Sequence, residues 1–248
     1  MRILLSKLIT KLKAKLKAKL KAKLISKLTA KLIKLHTLLP GRAACRAALV
    51  AVLLSTGAAS AYSAPKTILV LGDSLSAEYG LSRGTGWVAL MEPRLKQDQI
   101  AADVVNASVS GETTSGGRTR LPALLAKYHP ALVIIELGAN DGLRGLPVGA
   151  AESNLRAMAT AARQDGAQVV LIGMRIPPNY GRGYTDKFFA MYGLLSKEIK
   201  VPLVPFMLEG VADKPQLIQA DGLHPLAVAH PTILANIWPT VEKTLKAR

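Results

Sequence analysis

The stretch VLGDSLSAEYG, residues 70–80, leaves a run of aliphatic residues and at once presents Ser74 among acidic neighbours. Serine and aspartate both favour turns and helix N-caps, so a plain turn would account for them. The chemical alternative is a nucleophile, and an unassisted hydroxyl is a poor one at neutral pH. It needs a base, and the chain has four histidines. His36 lies in a basic tail, His129 stands before Pro130 ahead of a strand-like run, and His230 falls inside a helical pattern. His224, in QADGLHP, alone follows a strand and a loop, and a proline after it fixes its backbone. Asp221, three residues earlier, can fold back on the imidazole and hold its tautomer while the other ring nitrogen faces Ser74. Attack on an acyl carbon also needs donors aimed at the developing oxyanion. The backbone N–H groups of Ser74 and Gly111 and the side-chain amide of Asn140 would supply them, although each of these residues alone would pass for a turn residue.

Those residues can meet only if the chain places them together. KTILVL (66–71), ADVVNA (102–107), ALVIIEL (131–137), AQVVLIG (167–173) and VPLVPF (201–206) are short apolar runs without strict alternation, which suits strands buried on both faces. Helical patterns separate them at about 85–99, 118–128, 148–165 and 185–199, with a last one around 226–246; Pro93 should kink the first. This alternation predicts an α/β domain over residues 65–248, with right-handed crossovers and a mostly parallel sheet of about five strands between helical layers. Open sheets of this kind bind ligands at the carboxyl ends of their strands. GDSL, NASVSGET, LGANDG and QADGLHP all emerge at that edge.

The net charge of +17 is unevenly distributed. Residues 1–64 hold 11 Lys, 3 Arg and no acid; the remainder holds 19 basic and 16 acidic side chains. The globular part is nearly balanced, which gives no reason to expect a nucleic-acid partner. From residue 6 to 33 the tetrad (Ser/Thr/Ala)-Lys-Leu-x repeats seven times. Each repeat advances a helix by about 400°, so the leucine stripe winds around instead of holding one face. Residues 1–34 read as a low-complexity extension that builds no core but could lie on an anionic membrane surface if it is retained. Residues 35–64 read as a signal peptide: arginines, an apolar run, then small residues, with cleavage expected after Ala61 in Ala59-Ser60-Ala61. The product would be periplasmic or secreted; an uncleaved anchor is the alternative. Cys45 precedes the apolar run, so the mature chain would contain no cysteine and no disulfide.

The order Ser, Asp, His matches α/β-hydrolases, but the G-x-S-x-G elbow is missing. GDSL, Gly111 in SVSGET, GAND and DGLHP instead resemble blocks I, II, III and V of the SGNH, or GDSL, hydrolases. The likeness extends through NASVSGETTSGGRTRLPALL, IIELGANDGLRGLP, RIPPNYG and VPLVPFMLEGV, essentially residues 66–242, and it is closest to the periplasmic thioesterase, lysophospholipase and arylesterase branch. It implies a flavodoxin-like three-layer fold, no cofactor or metal, a catalytic triad of Ser74, Asp221 and His224, and an oxyanion hole of Ser74, Gly111 and Asn140. It also implies a mobile GANDGLRGLP loop and an acyl pocket lined by Ile176 and Pro177. With Leu143, Leu146 and Tyr180 these would make an apolar wall beside a polar centre. Two positions depart from the family pattern. Glu78 stands where a small residue is expected, and is read as either a solvated helix position or a carboxylate at the cleft mouth. HPLAVAHP replaces a more polar sequence, leaving fewer hydrogen-bonding groups after His224.

The sequence thus predicts an exported, monomeric serine hydrolase acting on acyl esters and thioesters. A small-acyl or carbohydrate esterase of the same fold is the rival within enzymes. A non-catalytic membrane-binding protein defined by its lysine-rich tail is the rival outside them.

Overall fold

The computed structural model describes residues 66–247 and, before them, Lys27 alone. The repeat, the signal-like segment and the cleavage site after Ala61 lie outside the described residues. Five strands, β1 (Lys66–Gly72), β2 (Ala102–Asn106), β3 (Leu132–Glu136), β4 (Gln168–Ile172) and β5 (Leu203–Val204), form one sheet. Every pairing is parallel and the order is β2-β1-β3-β4-β5. Helices α1 (Trp87–Gln97) and α6 (His230–Lys246) pack together as one layer, and α2 (Thr114–Tyr128), α4 (Val148–Gln164) and α5 (Arg182–Ile199) as the other. A short helix, α3 (Ala139–Leu143), sits just past the end of β3.

The three central strands are what continuous apolar runs predict. Ile68 to Leu71, Leu132 to Ile135 and Val170 to Ile172 have no exposed surface. The two edge strands differ from expectation. In β2 only one long side is paired, and Asp103 and Asn106 face solvent. The last strand shrinks from the expected 201–206 to two residues, because Pro202 and Pro205 have no N–H to give the ladder. Carbonyls of this segment still accept: Leu171 donates to the Pro202 carbonyl (3.0 Å) and Gly173 to that of Val204 (2.8 Å).

Helix starts also moved, most at α2 and α6. Helix α2 begins at Thr114, ahead of the expected 118, because Thr113 caps it by accepting the Gly116 N–H (3.4 Å); the two glycines that follow Ser115 hide the helical pattern. Helix α6 begins at His230, preceded by a 3₁₀ turn over Ala227–Ala229. Helix α1 runs on across Pro93. Because successive connections run in opposite directions from β1 and β3, the crevice for a ligand lies between the carboxyl ends of those two strands.

Candidate active site

Ser74 follows β1 by two residues and stands half-buried at that crevice. The chain turns sharply there, with the N–H groups of Ser76 and Ala77 donating to the Asp73 carbonyl (3.3 and 2.9 Å). Glycine is required at 72 for space. A Cβ on it would lie 2.6 Å from Glu136 Oε2 and 2.7 Å from Ser76 Oγ.

His224 reaches Ser74 from the opposite end of the sequence. Its Nε2 is 2.8 Å from Ser74 Oγ and its Nδ1 is 2.6 Å from Asp221 Oδ2. The other oxygen, Asp221 Oδ1, accepts the backbone N–H groups of Leu223 (2.9 Å) and His224 (3.0 Å). These main-chain donors, His224 first, hold Asp221 down at about 2, so it stays anionic wherever an imidazole titrates. An anion at Nδ1 fixes the proton there and leaves Nε2 as the acceptor facing the hydroxyl. The loop carrying the pair is itself a small hairpin: Gln219 N–H donates to the His224 carbonyl (2.7 Å), and Leu226 N–H to that of Leu217 (2.7 Å). Backbone bonds therefore hold HPLAVAHP despite its apolar side chains.

A second pair of acids lies beneath the nucleophile. Asp73 is almost wholly buried and Glu136, the last residue of β3, completely so. Burial raises Asp73 from 3.8 to about 6, against the opposing pull of the Leu75 N–H on Oδ1 (3.0 Å). Burial first, and the neighbouring Asp73 charge second, push Glu136 well above the ordinary carboxyl range. Glu136 is the proton holder of the two, and Asp73 becomes the anion as pH rises past 6. Glu136 Oε2 accepts from Asp73 N–H (3.2 Å) and Ser76 Oγ (2.5 Å).

The three expected oxyanion donors converge on the site, but their states differ. The N–H groups of Ser74 and Gly111 have no acceptor among the described residues. Gly111 adopts φ +78, a conformation that glycine takes at little cost. Space is not its constraint, since an added Cβ would meet only Arg144 Nη2, at 3.9 Å. Asn140 is the second residue of the short helix after β3, and its Nδ2 donates to Asp73 Oδ2 (3.1 Å) and the Glu112 carbonyl (3.0 Å). Both of its amide protons are thus committed inside the protein.

A cavity of about 640 Å³ opens at this point, walled by Ser74, Gly111, Asn140 and His224 together with Leu143, Ile176 and Pro177. Leu146 and Tyr180, expected in the same wall, do not line it. Leu146 is exposed beyond the turn that follows α3, and Tyr180 is exposed with its hydroxyl donating to the Leu143 carbonyl (2.9 Å). Glu78 fits neither expectation. At φ +60 its carboxylate accepts the N–H groups of Gly84 (2.9 Å) and Gly86 (2.8 Å), tying down the loop before α1.

Sequence reasoning missed Tyr79, whose ring centroid is 4.5 Å from that of His224, and Gln219, whose Nε2 joins the Tyr79 and Pro225 carbonyls (3.0 Å each). Gln219 lies in the run ahead of Asp221 and carries no motif of its own. Tyr79 stands in the quoted GDSLSAEYG stretch, where an aromatic five residues past the serine was the available signal. A second hollow, about 690 Å³ at the other edge of the sheet among Arg163, Lys200 and Lys243, holds no serine, histidine or acid in its wall.

Fold and constellation together are those of a hydrolytic enzyme built on a three-layer α/β sheet. The chain belongs to the GDSL-like Lipase/Acylhydrolase family, whose model matches residues 70–230. It is 48% identical over 200 residues to Esterase TesA of Pseudomonas aeruginosa, covering 81% of this chain and 100% of that one. It is 45% identical over 185 residues to Thioesterase 1/protease 1/lysophospholipase L1 of Escherichia coli K12, covering 75% of this chain and 86% of the other. A crystal structure of the psychrotrophic esterase EstA from Pseudoalteromonas sp., inhibited by monoethylphosphonate, superposes with a TM-score of 0.70 at 41% identity, covering 73% of this chain and 99% of that one. This chain is an esterase/thioesterase of the SGNH type.

Proposed function

We propose that the protein hydrolyses acyl esters and thioesters, of the arylesterase, acyl-CoA thioesterase and lysophospholipase kind, through Ser74, His224 and Asp221 and an acyl-enzyme intermediate. The observation that carries this reading is the unbroken hydrogen-bond series Ser74 Oγ, His224 Nε2, His224 Nδ1, Asp221 Oδ2. Ser74 Oγ attacks the acyl carbon while Nε2 takes its proton, and the carbonyl oxygen becomes an oxyanion. The free N–H groups of Ser74 and Gly111 lie ready for it. Asn140 joins them by sharing one of its amide protons, with Asp73 fixing the direction of the amide. The tetrahedral species collapses to the Ser74 ester, and the alcohol or thiol leaves with the proton from Nε2. Water then attacks the ester by the same steps in reverse, with Nε2 again as base, and releases the carboxylic acid. The relatives' names, esterase and thioesterase, support this substrate class. So does the phosphonate inhibitor of the Pseudoalteromonas esterase, a reagent class that takes the place of a tetrahedral acyl centre.

We also propose export. No helix among the described residues is long and apolar enough to cross a membrane, and the signal-like segment precedes them. A fluorophosphonate probe should label the secreted or periplasmic protein, whose N-terminus should be Tyr62 or within a few residues of it, and Ser74→Ala should abolish labelling. Wild-type labelling of Ser74→Ala would sink the mechanism; active protein found only in the cytosol with its repeats intact would sink the export. Hydrolysis of p-nitrophenyl esters that rises with chain length separates this reading from a small-acyl or carbohydrate esterase.

A further inference from the structure

One charged side chain in the cavity wall has no part in the chemistry above. Arg175 follows β4 between Met174 and Ile176, both buried, while Arg175 itself is exposed and lines the same cavity as Ser74 and His224. Its guanidinium carbon lies 4.0 Å from the ring centre of Phe189, on α5, and 5.4 Å from that of Phe206, beyond β5. Two rings from separate elements therefore hold the group in place by cation–π attraction. Among the described residues nothing accepts from it: Arg175 has neither a hydrogen bond nor an ion pair there. By contrast Arg94, Arg120 and Arg156 are ion-paired, and Arg144 and Arg163 donate to carbonyls. Asp213 is the other charged side chain on this part of the wall, and it forms no ion pair with Arg175.

A guanidinium that is fixed in position, with all five donors free and a hydrolytic serine in the same cavity, is suited to grip a planar or tetrahedral anion. We propose that Arg175 determines specificity by receiving an anionic group, phosphate, sulfonate or carboxylate, carried by the substrate, so that anionic esters are favoured over neutral ones of equal acyl chain. This rests on the hydrolase reading above and adds a recognition element to it.

The test compares p-nitrophenyl octanoate, which is neutral, with 4-nitro-3-(octanoyloxy)benzoate, which carries a carboxylate. The quantity read is the ratio of kcat/KM for the anionic ester to that for the neutral one, in wild type, Arg175→Gln and Arg175→Lys. Arg175→Gln should lower this ratio about tenfold, equivalent to about 1.4 kcal/mol, chiefly through KM for the anionic ester. Arg175→Lys should fall between, since it keeps the charge and loses the planar fork. Turnover of the neutral ester by the same variant preparation reports that the fold survives. A ratio within twofold of wild type in Arg175→Gln overturns the proposal and leaves the hydrolase reading standing. Failure of the wild type on both esters overturns the hydrolase reading and this proposal with it.

Discussion

Asp73 and Asp221 both act on the surroundings of Ser74, yet their environments drive them in opposite directions. Asp221 sits on a loop with over a third of its side chain exposed, and two main-chain N–H groups on one oxygen lower it to about 2. Asp73 is buried beside a second acid, and loss of water raises it to about 6 although Leu75 and Asn140 both donate to it. Exposure alone does not set the difference; what matters is whether donors outweigh lost hydration. The loop acid is a permanent anion that can hold an imidazolium. The buried acid orients an amide and changes its own charge within the range of ordinary assays.

The largest effect should come from the loop acid. Asp221→Asn keeps an acceptor for the Leu223 and His224 N–H groups, so the hairpin should fold. It also places an amide donor against Nδ1, which forces the proton onto Nε2 and turns it away from its role as base. Turnover should drop by about three to four orders of magnitude with the thermal midpoint little changed. Steady-state kinetics beside a melting curve checks this, and near-wild-type kcat would show that Asp221 merely closes a turn.

Next in size is the amide that Asp73 orients. Asn140→Ala should lower kcat by roughly 10²–10³ with KM nearly unchanged, because the charge develops only in the transition state. Asn140→Asp should be at least as damaging at pH 7 to 8, for two reasons. It removes the donor, and it sets a carboxylate against Asp73, which Asn140 contacts at 3.1 Å. If Asn140→Asp keeps near-wild-type kcat, the commitment of Asn140 to Asp73 and Glu112 is its whole role, and the Ser74 and Gly111 N–H groups suffice.

The contrast between the two acids also marks what the sequence can reveal. The Asp221–His224 relation lies within one turn of chain, so its spacing together with Ser74 at a strand end suggests it, and the central strands announce themselves as unbroken apolar runs. The partnership of Asp73, Glu136 and Ser76 joins the turn after β1 to the end of β3, and Glu136 reads as the polar end of ALVIIEL until the sheet register puts it opposite Gly72. Glu78 was misread for a similar reason: its work is to accept N–H groups six and eight residues on, which needs a left-handed backbone that no side-chain pattern reports. Leu146 and Tyr180 share the composition of a pocket wall, but composition does not say on which side of a turn a residue faces.

A smaller effect, on stability, should separate the two acids by the sign of their pH dependence. Asp73 is higher folded than unfolded, so the fold binds its proton more tightly than the unfolded chain does. Its contribution is therefore complete below about 4 and is lost as pH rises towards 6. A rise from 3.8 to about 6 amounts to at most about 3 kcal/mol. Asp221, lowered to about 2, behaves oppositely: its contribution is present above about 4 and is lost as pH falls through 2. Urea midpoints measured from pH 2 to 7 should show Asp73→Asn flattening the decline between 4 and 6, while Asp221→Asn flattens the loss between 4 and 2. An unchanged slope between pH 4 and 6 in Asp73→Asn would mean that Asp73 is not the group responsible.

The smallest effect should be at Glu136, and its smallness is the point. If burial keeps Glu136 protonated at neutral pH, it is already a neutral side chain, and Glu136→Gln is a near-isosteric exchange. The glutamine oxygen can take the Asp73 N–H and the Ser76 hydroxyl, as Oε2 does now. Its amide nitrogen then occupies the place of Oε1, which has no hydrogen-bond partner, and supplies N–H groups where the carboxyl supplied an O–H. Gln should hold kcat within about threefold and stability within about 1 kcal/mol of wild type, the size of a single altered hydrogen bond. Glu136→Ala is the contrast, for it strips the acceptor from two buried donors and opens a void beneath Gly72; it should cost about 3 kcal/mol or more. Denaturation and steady-state turnover of the two variants at pH 7 to 8 decide the matter. If Gln is as harmful as Ala, Glu136 acts as a charge or passes a proton, and the division between a buried neutral acid and an exposed anionic one does not hold.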